Sequence, residues 1–320
     1  MDARLIPDAE WLDRFRGDLD ALSAPDERVG IAVSGGPDSL ALLLLAAAAR
    51  PGQVEAATID HGLRKESADE ARFVAGICDR LGIAHHVVRV SVGSGSSLQA
   101  QARAARYRAL GDWAVERGLE AVATAHHADD QAETLLMRLA RGAGLSGLSA
   151  TRRKRVLEPG IHLVRPLLGW RRQDLGAIVR AAGLEAVDDP ANRDPRHDRS
   201  RFRGLVERSE WADSERLALS AQWLAEADEA IEWSVRELAD RRIGEDGAKL
   251  AIEATGLPRE IQRRLLLHAF DRLGAARPRG PDIDRALRAL GEGRTVTLGG
   301  LKLEGGTTWR IAAAPPRRRG

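Results

Sequence analysis

Between residues 28 and 183, short apolar runs alternate with segments of helical length and period. "RVGIAVSG" (28–35), "VEAATIDHG" (54–62), "IAHHVVRVSV" (83–92), "EAVATAHH" (120–127) and "IHLVRPLL" (161–168) read as strands. The segments 38–49, 66–82, 97–118, 129–142 and 172–183 read as helices. Strands separated by helix-length segments require right-handed crossovers and a parallel sheet. The expected class is α/β, a doubly wound parallel sheet with a second, smaller, mostly helical domain. After about residue 210 the pattern changes. Over 211–292, Leu, Ala and Trp recur at three- and four-residue spacings, which reads as helix; 293–314 reads as a short β-hairpin. Trp211, Trp223 and Trp233 fit core or interface positions better than base-stacking platforms. The expected organisation is an N-terminal helical segment over 1–27, an α/β domain over 28–205 and the smaller domain over 206–320.

The first strand runs directly into Ser34-Gly35-Gly36-Pro37-Asp38-Ser39, and a long Ala/Leu helix follows at once. A helix N-terminus carries open N–H groups and about half a positive charge, so an anion placed there is stabilised. Gly35 and Gly36 lack Cβ atoms, which lets a phosphate approach the backbone. Ser34 and Ser39 add hydroxyl donors. Asp38 would repel a bare phosphate; its presence makes sense if it holds a magnesium ion or organises the loop. A plain helix entry needs an Asp cap, but not two glycines and two serines at a strand's carboxyl end, where α/β sheets bind ligands. The loop matches neither the Walker P-loop nor GxGxxG.

Two further stretches cluster polar residues at strand ends. Asp60 and His61 lie in "IDHGLR" (59–64) and by themselves fit a ligand site or a turn. "ATAHHADDQAETLLMRLARGAGLSGL" (123–148) places His126 and His127 at a strand end and Asp130 at a helix start. Asp130 and Glu133 have the spacing of a capping box and share one helix face. Adjacent histidines rarely face one ion, which weighs against a metal site at His126, His127 and Asp129. Arg103 and Arg106 also share a helix face; they fit either phosphate or nucleotide binding, or a solvated surface.

Composition excludes several classes. Cys78 is the single cysteine, so the chain has no internal disulfide framework and no multi-cysteine metal or iron–sulfur site of its own. No apolar run reaches membrane-spanning length and the start has no signal-peptide pattern, so a cytoplasmic protein is expected. The net charge is only +2, but residues 151–208 hold 14 Lys and Arg against 8 Asp and Glu. Such a segment is a candidate for phosphate contact, and Arg199, Arg201 and Arg203 form a basic cluster within it.

The loop at 34–39 resembles the SGGxDS pyrophosphate loop of the PP-loop ATP pyrophosphatases. Together with "DHGLR", "QARAARYRAL", "AHHADDQAETLLMRLARGAGLSGL" and "RPLL", in this order and spacing, the chain resembles the tRNA(Ile)-lysidine synthetase family over most of residues 28–205. The resemblance implies a bacterial ligase using ATP and Mg²⁺. Such an enzyme activates C2 of the wobble cytidine of a CAU-anticodon isoleucine tRNA as an adenylate. The ε-amine of free lysine then displaces AMP, and decoding changes from AUG to AUA. On this resemblance Ser34, Gly35, Gly36, Pro37, Asp38, Ser39, Asp60 and His61 bind the nucleotide, and Asp38 is also the metal ligand. Asp38 and Arg106 are catalytic, Asp130 and Glu133 recognise lysine, and Arg199, Arg201 and Arg203 contact tRNA. The α/β domain is then the ATP-binding catalytic domain and 206–320 a tRNA-binding one.

Departures exist. After "DDPANRDPRHDR" the family continues with Asn and then a Leu-Pro; this chain reads "SRFRGLVERSEW", with Ser200 and no proline. Longer members carry an additional C-terminal domain, so here the 151–208 segment and the helical domain would do most of the tRNA binding. The alternatives are a 2-thiolation enzyme, disfavoured by the lone cysteine, a small-molecule amidating ligase of the PP-loop class, and a non-catalytic tRNA-binding module. The oligomeric state stays open, a homodimer included.

Overall fold

A central strand buried on both faces has to be apolar throughout, and Val29-Gly30-Ile31-Ala32 meets that demand. In the computed structural model, which describes residues 2–60, 66–90, 98–187, 198–247 and 249–315, this run is β1 (Val29–Ala32), every residue of it buried. Helix α1 (Ala9–Asp20) precedes it. There follow α2 (Pro37–Ala49), β2 (Val54–Asp60), α3 (Glu66–Leu81), β3 (Ala84–Arg89), α4 (Leu98–Arg117), β4 (Ala121–Ala123) and α5 (Ala128–Leu139). The single turn α6 (Leu145–Leu148) leads to β5 (Lys154–Glu158), β6 (Ile161–Val164), α7 (Arg172–Ala181) and α8 (Asp198–Glu207). The sheet order is β3-β2-β1-β4-β6-β5. Pairing is parallel throughout except at β5–β6. This is the doubly wound α/β sheet the alternation predicts.

The strand order reverses between β1 and β4. The segments leaving these two strands therefore diverge to opposite sides and leave a crevice at the carboxyl edge of the sheet. The loop at 34–36 and the segment 124–127 flank that crevice. Side chains of β1 alternate as strand geometry requires. Val29 and Ile31 join the core formed by α1, α2, α3 and α7, while Ala32 joins the opposite core with Leu110, Trp113 and Ala114 of α4. Helix α2 is apolar around its whole circumference and buried from Ser39 to Ala48, as expected for a helix covered on every side.

The structure departs from the sequence expectations in specific places. Strand β4 stops at Ala123, so Thr124 to His127 are loop and not strand. Strand β5, an antiparallel edge strand, was not anticipated; its half-exposed alternation is broken by a register shift between Val156 and Glu158. Helix α1 is part of the α/β unit, because Phe15 and Leu19 lie in its core.

Two compact units are present, Met1–Ala225 and Glu226–Gly320. Helix α9 (Ser214–Arg242) starts in the first and ends in the second. The expected continuous helical run over 211–292 is interrupted by the hairpin β7 (Ile243–Asp246) and β8 (Lys249–Ile252). Gly247, with φ +62°, supplies the left-handed residue of the turn between β7 and β8. Helices α10 (Arg259–Arg272) and α11 (Gly280–Gly291) come next, then strands β9 (Thr295–Leu298), β10 (Leu301–Glu304) and β11 (Trp309–Ala313). The five strands form one antiparallel sheet in the order β7-β8-β11-β10-β9, in place of an isolated hairpin. Its core contains Val235, Phe270, Leu290, Trp309 and Ile311. Trp211, Trp223 and Trp233, read as core or interface positions, are 76%, 60% and 62% exposed, so the core reading is wrong for all three.

Gly30 is the residue on which the central packing turns. A Cβ at this position would lie 2.5 Å from Trp113 Cζ3 and 2.8 Å from Leu119 Cδ1. Gly30→Ala is expected to destabilise the chain by about 1–3 kcal/mol through overpacking. Urea unfolding measures this, and an unchanged midpoint would show that α4 yields without cost.

Candidate active site

Three helix N-termini converge on the crevice. The first is that of α2, entered through Ser34 to Gly36. Gly35 takes φ +79°, a conformation that favours glycine, and its carbonyl accepts a hydrogen bond from Val187 N–H at 3.0 Å. Ser39 Oγ donates to the Gly36 carbonyl at 3.0 Å and accepts from Ser34 N–H at 3.1 Å. Pro37 at the first position fixes a helical φ. The loop is thus held by its own serines in a shape that presents helix N–H groups to the cavity.

The second N-terminus is that of α5. His127 is its N-cap, and Asp130 at the third helical position accepts a hydrogen bond from His127 N–H at 3.2 Å. The cap from the third helical residue therefore lies one turn earlier than the Asp130–Glu133 box read from the sequence, and Glu133 is freed from capping. The third N-terminus is that of α7, where Arg172 N–H donates to Asp129 Oδ2 at 2.8 Å.

One side chain joins the three. His127 is 0% exposed. Its Nε2 lies 3.4 Å from Asp38 Oδ2 on α2 and 3.6 Å from Asp130 Oδ2, and its Nδ1 lies 3.6 Å from Asp129 Oδ2. Burial alone favours the neutral ring, but Asp130, Asp129 and Asp38 together raise its pKa to about 9. At neutral pH it is an imidazolium, with both nitrogens donating. Asp130 N–H, 3.4 Å from Nδ1, then cannot donate to it. Burial pushes Asp129 up, but His127, Arg172 N–H and Arg171 outweigh it and hold the carboxyl well below the usual range. Asp130 is likewise lowered against its own burial by His127 and Arg199. The neighbouring His126 behaves oppositely. Burial, with Arg165, Arg106 and Arg103 nearby, lowers its pKa to about 3 against the pull of Asp130, so it stays neutral. Its Nδ1 is 3.1 Å from Thr124 Oγ1.

The resulting cavity has a volume of about 580 Å³. It is lined by Ser34, Gly36, Pro37, Asp38 and Ser39 of the loop, and by Arg106, His126, Asp130 and Arg172. Arg199 and Arg203 of α8 close one side. Arg199 donates from Nη2 to Asp130 Oδ1 at 2.7 Å and from Nε to Glu133 Oε2 at 2.8 Å. Arg203 Nε donates to Glu133 Oε1 at 2.8 Å. Among the described residues no carboxylate pairs with Arg106, so the α4 side of the cavity keeps an uncompensated positive charge.

Asp38 Oδ1 is buried and has no hydrogen-bond partner among the described residues. A buried carboxylate oxygen left this way carries a desolvation penalty that a cation would relieve. The described residues include no group of three or more His, Cys, Asp and Glu placed to hold a metal. A magnesium ion needs no such cage when substrate phosphates and water complete its shell, so the unpartnered oxygen of Asp38 fits it.

Other sequence candidates fall elsewhere. Asp60 ends β2 and its carbonyl accepts from Val90 N–H at 2.8 Å; it is not among the residues lining the cavity. His61 lies outside the described residues. Arg201 is on a different face of α8, away from the cavity. Glu133 is buried behind Arg199 and Arg203. Arg172 was not singled out from the sequence, although Arg171-Arg172 at a helix start opposes the helix dipole and so was a usable signal. Cys78 is buried and its thiol is pushed up to about 12, chiefly by burial; such a thiol is inert at neutral pH.

The fold and the loop define the class: a PP-loop domain model matches residues 12–209, and this is a PP-loop ATP-binding protein. The chain is 48% identical over 310 residues to a tRNA(Ile)-lysidine synthase of Novosphingobium aromaticivorans, covering 95% of this chain and 94% of that one. To the tRNA(Ile)-lysidine synthase of Zymomonas mobilis it is 45% identical over 304 residues, covering 93% and 92%. The fold is also similar to that of a U34-tRNA thiolase from Methanococcus maripaludis, with a TM-score of 0.56 at 18% identity over 68% of this chain and 78% of that one. The chain belongs to the tRNA(Ile)-lysidine synthase family.

The raised pKa of His127 gives a stability prediction. A group whose pKa is higher folded than unfolded contributes stability that is full below its unfolded pKa, near 6.5, and is lost as pH rises through its folded pKa, about 9. In metal-free buffer the stability gap between wild type and His127→Gln should be largest below pH 6.5 and shrink toward pH 9. A gap independent of pH in urea unfolding would contradict the charged ring.

Proposed function

We propose that this chain is a cytoplasmic ligase that joins free lysine to C2 of the wobble cytidine in the CAU-anticodon isoleucine tRNA, consuming ATP and releasing AMP and pyrophosphate. The observation that carries the reading is the junction in one cavity of a phosphate loop, the unpartnered Asp38 carboxylate oxygen and the Asp130 carboxylate. Family membership supports it over nearly the whole chain. Among the described residues no helix is long and apolar enough to cross a membrane.

The residues divide the work by chemistry. Ser34, Gly35, Gly36, Pro37 and Ser39 hold the ATP phosphates at the α2 N-terminus. Asp38 would hold a magnesium ion, which supplies charge neutralisation at the phosphates under attack. Arg106, unpaired and half-buried on α4, stabilises charge developing on the α-phosphate. Asp130, which lines the cavity, recognises the lysine ammonium, with Glu133 behind it; Arg199 and Arg203 hold the two carboxylates in place. His127 holds Asp130 ionised and keeps Asp38 in place. A thiolation chemistry is disfavoured by the inert Cys78.

The experiment is transfer of radiolabelled lysine to an unmodified CAU-anticodon isoleucine transcript with ATP and Mg²⁺, with initiator methionine tRNA as control. Label in the isoleucine transcript alone is expected; AMP release without label would keep the ATP chemistry and reject lysine as nucleophile. Asp130→Asn is expected to raise KM for lysine at least tenfold, since a carboxylate contact with an ammonium is lost. An unchanged KM and turnover would remove Asp130 from lysine recognition.

A further inference from the structure

Helix α8 divides its arginines between two faces. Arg199 and Arg203, four apart, turn to the carboxylates of α5 and are ion-paired there. Arg201, Leu205 and Arg208 have the i, i+4, i+7 spacing of a second face, and all three are exposed. That face borders a groove of about 630 Å³ between α5 and α8, lined by the apolar Met137, Phe202 and Leu205 and by Arg141, Arg201 and Arg208. Leu205 is 44% exposed. Arg201 and Arg208 have no ion pair among the described residues. The groove begins four residues along α5 from Glu133, about 6 Å at helical rise, and so lies one helical turn beyond the cation-binding carboxylates.

Apolar side chains and two uncompensated guanidiniums lining one groove are complementary to one kind of partner. A nucleobase is flat and apolar on its faces, and its phosphates are anionic; single-stranded nucleic acid is held by this pairing of stacking surface and arginine. An apolar protein segment would leave the guanidiniums unmatched, and an acidic one would leave Phe202 and Met137 exposed. On the reading that the substrate is a tRNA, we infer that the α5–α8 groove is a subsite for an unpaired nucleotide of the anticodon loop adjacent to the reacting base, with Arg201 and Arg208 on its phosphates and Phe202, Met137 and Leu205 under its base. The arginine cluster of this segment is thereby split: Arg199 and Arg203 serve the reaction centre, and Arg201 and Arg208 bind RNA.

The test uses the full chain and the same isoleucine transcript. Binding is measured against salt for wild type, the double variant Arg201→Gln/Arg208→Gln, and Leu205→Glu, with circular dichroism to show that each is folded. The double variant is expected to lose about tenfold or more in affinity and to flatten the slope of log K against log salt by about 1.5, the loss of two phosphate contacts. Leu205→Glu is expected to weaken binding as well, with the rise in KM for tRNA exceeding any fall in kcat. Unchanged affinity and slope in folded variants overturn the subsite. A Leu205→Glu variant that alters the oligomeric state by light scattering while tRNA binding is unchanged also overturns it, in favour of a second copy as occupant. If wild type transfers no lysine, the proposed reaction fails, and the binding data still decide the groove separately.

Discussion

The imidazolium of His127 is the contact on which the site depends. It is fully buried and has carboxylates of α2 and α5 around one ring. Each carboxylate sits in the first turn of a helix, where the dipole favours negative charge. Packed together without the ring they would repel one another. With it, Asp129 and Asp130 stay charged, and the phosphate loop is fixed against α5 through Asp38. Asp129 extends the tie to α7 through Arg172 N–H. Removal of one member of such a buried cluster leaves an uncompensated charge, which is costly. The loop that meets the nucleotide is thus positioned by a residue that does not line the cavity.

The sheet explains why these groups meet. β1 and β4 are neighbours, but their crossovers leave in opposite directions, so the residues that follow them, 33–36 and 124–127, face across an open edge. Arginines then partition by depth. Arg199 and Arg203 neutralise the carboxylates on α5, whereas Arg106 has no carboxylate partner among the described residues and keeps its charge for an anion. A cavity with cations on one wall and carboxylates on the other suits a reaction that handles both a polyphosphate and an ammonium.

Much of this was legible in the sequence because it is written locally. Alternating apolar runs reveal the parallel sheet, and Ser34 to Ser39 reveal the loop, since period and turn chemistry act over a few residues. The pairing of Asp130 and Glu133 with Arg199 and Arg203 spans about seventy residues and leaves no local trace. For the same reason His127 could be read only as a doubtful metal ligand, when its partner Asp38 is nearly ninety residues away. Strand β5 and the β7–β8 hairpin were hidden for a different reason. Each is short and half-exposed, and their burial is decided by neighbours far along the chain. The exposed Trp223 and Trp233 sit at helical spacings that resemble a core stripe, so periodicity alone misplaced them.

The central claim is that the unpartnered carboxylate oxygen of Asp38 takes a cation at the phosphate loop. The most direct measurement is calorimetric titration of ATP into wild type and Asp38→Asn, with and without Mg²⁺. Wild type should bind ATP more tightly with Mg²⁺, and the variant should lose that difference while still binding the nucleotide. An equal Mg²⁺ enhancement in both proteins would contradict the account.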